Sequence, residues 1–333
     1  MALVTLACHA MATRFEVALH GENPVALRAA GEEALHEITR LEAQLSLFKP
    51  TSEIAHLNAR ASEHPVRVEP SLFALLERAQ RLSRETGGAF DITVGPLMKC
   101  WGFTNGTGKQ PEPAALEEAR AKVGMDLVEL NAVDYTVRFK RPGVVLDLGS
   151  IGKGYALERA TELLRDAGIQ SALLHGGTST VCAIGAPPGA TAWQVAIPNP
   201  VKQLLNTEPL KKENPSEERP LAVVSLQDES LSMSAVWGKS FSEGEDVFGH
   251  VIDPRTGCPA QRAIAAVVVT PSATESDALS TALLTLGSGG IETILHRLPN
   301  SRIMVVSRDA GRFAVHTKGI ELIDSAGGSG VLK

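Results

Sequence analysis

Apolar and polar positions alternate along Thr13-Arg14-Phe15-Glu16-Val17-Ala18-Leu19, which predicts a strand running to Gly21. From Pro24 the period changes. Leu27, Ala30, Ala34, Ile38, Leu41 and Leu45 recur at helical spacing and give one apolar stripe. After the polar stretch Lys49-Pro50-Thr51-Ser52, a second helix is expected from about Ser71, with Leu72, Leu75, Ala79 and Leu82 on one face and Gly87-Gly88 as its stop. Residues 102–113 are rich in Gly, Asn and Pro and predict a loop. Val144 to Leu148 reads as a short buried strand that enters a helix lasting to about Ala167, with Gly168 beyond it, and Ser171 to His175 reads as another strand. Further strands are expected around Val223, Met233 and Val251 and over Ile264 to Val269. A helix is expected from Asp277 to Leu286, and a hairpin over Ile303 to His316 turning at Asp309-Ala310-Gly311. The proline-rich stretch 198–220, with Lys211-Lys212-Glu213 inside it, predicts a solvated surface excursion. Strands and helices follow one another without a regular βαβ rhythm, so an α+β fold fits better than a doubly wound sheet.

The chain has 333 residues, 44% hydrophobic and 21% charged. That is the profile of a globular protein with a sizeable core, and it excludes disorder, collagen and coiled coil. Thirty-two Lys and Arg against 38 Asp and Glu leave a net charge of -6, and aromatics are 4%. Both argue against a nucleic-acid binder. Cys8, Cys100, Cys182 and Cys258 are scattered without a CxxC pair, which speaks against a zinc site and against a dense disulfide framework. No run of about 18 apolar residues is present, and the first residues lack a basic segment before their short apolar run. A soluble protein is expected, cytoplasmic or, had a signal been removed from a precursor, periplasmic.

Four segments place polar groups beside glycines at element ends: Gly87 to Asp91, Asp147 to Gly154, Gly249 to Gly257 and Glu275 to Thr281. Gly149, Gly152 and Gly154 could leave amides open for a phosphate at a helix start, aided by Lys153. The same residues equally suit a tight strand-to-helix turn with a solvated lysine. The spacing is neither a Walker loop nor GxGxxG. Asp277 and Thr281, four apart on a predicted helix, share one face and offer two hard oxygen ligands suited to Mg2+. They could also serve only the helix, as a dipole partner and a back-bonded hydroxyl. His250 could act as a general base or could simply close a strand end. Asp91 could accept from a ligand or cap a turn.

In order and spacing these segments resemble the ApbE family of flavin transferases. So do Met11-Ala12-Thr13, Leu45-Ser46-Leu47-Phe48, Ser52-Glu53-Ile54 with Asn58, and Gly176-Gly177. The resemblance runs from about Met11 to about Gly287. It implies an α+β fold related to the T-fold, with antiparallel sheets flanked by helices and two lobes enclosing an FAD cleft, in a single domain spanning 1–333. It implies Mg2+-dependent cleavage of FAD, used as a substrate, with release of AMP and attachment of FMN to a Thr or Ser hydroxyl of an acceptor protein. In the family the acceptor is a membrane redox-complex subunit or a flavin-dependent reductase. By position, Asp277, Thr281 and the Ser150 carbonyl match the metal ligands, and His250 matches the catalytic histidine. Met11, Phe48, Ala89, Phe90, Asp91, Asp147, Lys153 and Val251 match positions lining the FAD site, with Gly176 and Gly177 beside it. The family pattern usually has Gly where Ala12 stands, Tyr for Phe48, Asn or Asp for Thr178, Gly for Ala235 and Arg for Lys239. Those departures keep two alternatives in view: an FAD pyrophosphatase that uses water as acceptor, and an FAD-binding protein that no longer turns over.

Overall fold

The computed structural model describes residues 1–104, 106, 108–200, 219–238, 240–243, 246–309, 312–323 and 331–332. Residues 201–218 of the expected excursion, Lys239, and Ala310 and Gly311 of the expected hairpin turn lie outside the described residues.

The chain opens with a hairpin, β1 (Ala2–Ala10) and β2 (Thr13–Gly21), in which Ala10 pairs with Thr13. The two linking residues, Met11 and Ala12, have φ of 50° and 58°. Two successive positive φ values are the mark of a type I′ hairpin turn, whose hand matches the twist of the strands. Ala12 therefore sits in a left-handed conformation that costs a β-carbon roughly 1 kcal/mol and costs glycine nothing. An Ala12→Gly variant is expected to unfold at higher denaturant, by roughly 0.5–1 kcal/mol, with an unchanged slope. An equal or lower midpoint would contradict the turn geometry.

Helix α1 (Pro24–Leu45) buries the stripe read from the sequence, and Asn23 caps it by accepting from the amides of Val25 and Ala26. Next come α2 (Glu53–Arg60), β3 (Val66–Arg67), α3 (Pro70–Glu85), α4 (Gly95–Cys100) and α5 (Pro113–Arg120). The expected start of α3 shifts: Glu69 takes the cap position, and Ser71 lies inside the first turn. Strands β4 (Val128–Asn131) and β5 (Thr136–Phe139) complete a small sheet with β3. Val144 to Leu148 is extended and largely buried, but it joins no ladder. A single parallel bridge ties Val145 to Val94, which corrects the expected strand.

The main sheet gathers β6 (Ala172–Gly176), β7 (Thr180–Ile184), β10 (Ser230–Ala235), β13 (Ala265–Thr270), β14 (Arg302–Asp309), β15 (Arg312–Lys318) and β16 (Val331–Leu332). It has nine strands in the order β1-β2-β6-β7-β10-β13-β14-β15-β16, and every neighbouring pair is antiparallel. Two-stranded ribbons form from β8 (Trp193–Ile197) with β9 (Ala222–Leu226), and from β11 (Ser240–Glu243) with β12 (Asp246–Gly249). The strand expected around Val251 thus ends earlier, at Gly249.

One face of the main sheet is covered by α1, α6 (Gly152–Asp166) and α7 (Ala273–Leu286), the other by the β8–β9 ribbon. The period of two explains the continuous apolar run of β13. Ala266 and Val268 face the helices, while Ala265, Val267 and Val269 face the ribbon. The architecture is α+β with antiparallel sheets, as expected.

Helix α7 continues through a short turn into α8 (Ile291–Arg297). Among the described residues, Ala273–Arg297 is the one helical stretch long and apolar enough to cross a membrane. More than half of its most apolar stretch is buried inside the fold, and α7 packs on α6, β10 and β13. It is a core helix, apolar because it is enclosed.

Candidate active site

Segments far apart in sequence meet on α7. The Gly154 amide donates to Asp277 Oδ2 (2.9 Å), which brings the start of α6 to α7. Thr180 Oγ1, just past the Gly176-Gly177 turn, donates to Asp277 Oδ1 (3.5 Å). The Thr285 hydroxyl donates to the Ala89 carbonyl (3.1 Å), tying in the Gly87 to Asp91 segment. That segment meets the Asp147 segment where the Asp147 amide donates to the Ile92 carbonyl (2.7 Å). It meets the Gly249 to Gly257 segment where a β-carbon on Gly88 would lie 3.6 Å from Arg255 Cγ. His250 follows β12 directly, and a β-carbon on Gly238 would lie 3.9 Å from its Cε1.

A second group gathers at the β1–β2 turn. Glu42 accepts from the Met11 amide (2.7 Å) and from Lys49 Nζ (2.5 Å), placing Met11 beside the Phe48-Lys49 loop. Phe48 is 69% exposed. Phe15 pairs with Gly176, and a β-carbon on Gly176 would lie 2.7 Å from the Phe15 ring. One on Gly177, at φ 62°, would lie 2.4 Å from Thr13 Oγ1, so this close approach of two turns requires glycine.

The glycine turn before α6 serves the protein itself. Gly149 donates to Asp147 Oδ1 (2.9 Å), Gly152 to the Leu148 carbonyl (2.7 Å) and Gly154 to Asp277. These three amides are therefore engaged internally, and the tight-turn reading accounts for them. The positive end of the α6 dipole meets a carboxylate of the protein, not an open cradle. Lys153 Nζ reaches back to the Gly149 carbonyl (3.5 Å) and is half-buried. Asp91 is similarly engaged. Oδ1 accepts from the Thr93 amide (2.8 Å) and hydroxyl (2.6 Å), and Oδ2 from Ser83 Oγ (3.1 Å) and the Met125 amide (2.9 Å). Burial pushes its carboxyl above the usual range against the pull of those bonds. Ala89 and Phe90 are fully buried, and Val251 is half-buried with its carbonyl accepting from the Ala260 amide (2.8 Å).

Asp277 is 4% exposed and forms no ion pair among the described residues. A carboxylate so deeply placed needs a compensating charge, and two neutral donors supply only part of it. One turn further, Thr281 Oγ1 donates to the Asp277 carbonyl (3.2 Å). Its proton is thus turned back on the helix, leaving lone pairs available. A carboxylate, a hydroxyl and nearby backbone carbonyls form a hard-oxygen donor set. Among the described residues no cluster of three or more His, Cys, Asp or Glu is placed to hold a metal. A cation here would keep positions open for substrate phosphates, which is how Mg2+ is commonly held.

Residues not foreseen from sequence stand behind this pair. Ser232 lies 2.8 Å from Ser276, and Ser234 lies 2.8 Å from Ser280 and 3.2 Å from Thr281. Serines at every second position of β10 facing serines four apart on α7 were the available signal. The start of α7 is clamped by Glu158, which accepts from the Thr274 amide (3.0 Å) and Ser272 Oγ (2.5 Å) and pairs with Arg78 (2.6 Å). Glu275 pairs with Arg81 (2.9 Å) and Arg297 (2.6 Å). Burial pushes both carboxyls up. Arg78 beside Glu158 and Arg297 beside Glu275 more than offset this, so both lie below the ordinary range. All four cysteines are free, and burial pushes the Cys182 thiol up to about 12, too high for a nucleophile.

The model of the ApbE family matches residues 11–305. The chain is 31% identical over 312 residues to an FAD:protein FMN transferase of Treponema pallidum, covering 89% of this chain and 82% of that one. It is 28% identical over 320 residues to one of Haemophilus influenzae, covering 93% and 88%. Among solved structures, the flavinyl transferase ApbE of Pseudomonas stutzeri superposes with a TM-score of 0.80 at 24% identity, over 96% of this chain and 95% of that one. The ApbE protein of Thermotoga maritima gives 0.78 at 23%, over 98% and 97%. A family match over most of the chain, relatives named as transferases and the same fold agree: the chain belongs to the ApbE family and is a transferase.

Proposed function

We propose that this chain is a Mg2+-dependent FAD:protein FMN transferase that joins FMN to a Thr or Ser hydroxyl of an acceptor protein and releases AMP. The observation that carries this reading is Asp277, a buried carboxylate without a cationic partner among the described residues, one helical turn from Thr281 where the distant segments meet. Asp277, Thr281 and the Ser150 carbonyl would hold the cation. Bound there, Mg2+ would neutralise charge on the pyrophosphate of FAD.

The acceptor oxygen forms a bond to the phosphorus of the FMN half, and the bond from that phosphorus to the bridging oxygen breaks, so AMP leaves with that oxygen. His250 takes the proton of the acceptor hydroxyl. Met11, Phe48, Gly176 and Gly177 would face FAD at the paired turns, and Asp147, Lys153 and Val251 would line the rest of its site. Because Ala89 and Phe90 are buried and Asp91 is internally engaged, their segment would meet FAD through its backbone. The acceptor would be a membrane redox-complex subunit or a flavin-dependent reductase.

Purified protein incubated with FAD and a Thr-bearing acceptor fragment, with and without Mg2+, tests this by chromatography. AMP release with flavin retained on the denatured acceptor supports it, AMP with free FMN would indicate hydrolysis, and intact FAD in every tube would sink it. His250→Ala is expected to lower the transfer rate roughly 10²-fold or more while FAD still binds. Labelling at the unsubstituted rate would remove His250 from the mechanism.

A further inference from the structure

Strand β10 reads Ser230-Leu231-Ser232-Met233-Ser234, and its period of two sends the serines toward α7. Ser234 occupies the position nearest the proposed cation ligands. Donor accounting defines its part. Ser280 Oγ donates to the Asp277 carbonyl (3.0 Å), and Thr281 Oγ1 donates to the same carbonyl (3.2 Å). Each hydroxyl has one proton, so both are used. Ser234 Oγ, 2.8 Å from Ser280 and 3.2 Å from Thr281, is then the donor left in this trio, and its one proton is shared between the two oxygens. Threonine in a helix divides between two χ1 rotamers. A donor fixed on a neighbouring strand selects the one that keeps the oxygen at this place. Ser234 is itself held in the ladder opposite Ala266 and cannot drift.

We propose that Ser234 is a positioning residue that fixes the Thr281 oxygen as a ligand for the divalent cation. The inference rests on the reading of Asp277 and Thr281 as cation ligands. Ser230 supplies the contrast. It belongs to the same strand and the same face, but its hydroxyl meets Cys182 Sγ (3.3 Å) and lies away from Thr281.

The test titrates Mn2+ into purified protein with FAD present, reading free Mn2+ by electron paramagnetic resonance, alongside thermal melting of each variant. Ser234→Ala is expected to weaken Mn2+ binding about 10-fold, as loss of a partner to a metal ligand commonly does. Ser234→Thr, which keeps the hydroxyl, should restore it, and Ser230→Ala should leave it unchanged. The Mg2+ concentration for half-maximal turnover should rise in Ser234→Ala by the same factor. Should Ser234→Ala fail to fold, Ser234→Cys offers similar volume with a weak donor and should give an intermediate affinity. Unsubstituted Mn2+ affinity in Ser234→Ala, with affinity lost in Asp277→Asn, would overturn the positioning role and leave the site standing. Equal weakening in Ser230→Ala would also overturn it, by showing a packing effect. Equal Mn2+ binding by the native chain and Asp277→Asn would overturn the site reading, and this inference with it.

Discussion

Replacing Gly154 by alanine is expected to destabilise the protein by roughly 3 kcal/mol or more, although the same exchange inside an ordinary helix stabilises by up to about 1 kcal/mol. The sign reverses because of what stands opposite. A β-carbon at position 154 would lie 2.2 Å from the Ala273 carbonyl oxygen and 2.7 Å from Asp277 Cβ. The first is backbone and cannot rotate aside, so α6 and α7 must separate. Separation also stretches the bond from the Gly154 amide to Asp277 Oδ2. For a chain of 333 residues the melting temperature should fall by roughly 4 °C or more. Calorimetry of the variant checks this, and an unchanged or raised melting temperature would contradict the helix crossing described above.

Asp277→Asn is expected to lower Mg2+-dependent AMP release roughly 10³-fold while the melting temperature holds or rises. The amide is isosteric: its oxygen can keep the bond from the Gly154 amide while its NH2 donates to the Thr180 hydroxyl, which turns to accept, so the local packing survives. What disappears is the negative charge. A metal's stabilisation of a phosphoryl transition state is worth several kcal/mol, and each 1.4 kcal/mol is a factor of ten in rate. In the metal-free protein the same change removes a buried carboxylate that lacks a cationic partner among the described residues, which relieves a desolvation cost. Lower activity with higher stability is the signature. Retained Mg2+-dependent turnover would take Asp277 out of the ligand set, and a collapse in melting temperature would make its role structural.

What could be read from the chain followed from how local each signal was. The α1 stripe and the pairing of Asp277 with Thr281 depend on spacing within one helix, and both appear where expected. Strand β1 escaped notice because apolar residues such as Leu3 and Ala7 stand on its exposed face, so the alternation seen in its burial is absent from its sequence. The short α2 and α5 show too few turns for a periodic signal. Val144 to Leu148 carries the composition of a strand but lacks a ladder partner, a property of its surroundings. The glycines at 149, 152 and 154 looked open because the residue that takes one of their amides, Asp277, lies 123 positions away. Ser234 carried no signal of its own in the sequence, where only its neighbour Ala235 stood out against the family pattern. Its bond to Thr281 spans 47 positions and requires β10 to lie under α7.

Helix α7 carries the proposed ligand pair, Asp277 and Thr281, and also lies in the apolar core of the molecule. Its backbone amides should therefore exchange with deuterium only through global unfolding, among the slowest in the chain. The proposed cation site then has no separate melting event, and anything that binds at Asp277 and Thr281 raises the unfolding free energy of the entire body by mass action. Inactivation by heat should accordingly coincide with loss of the fold, with no inactive yet compact species preceding it.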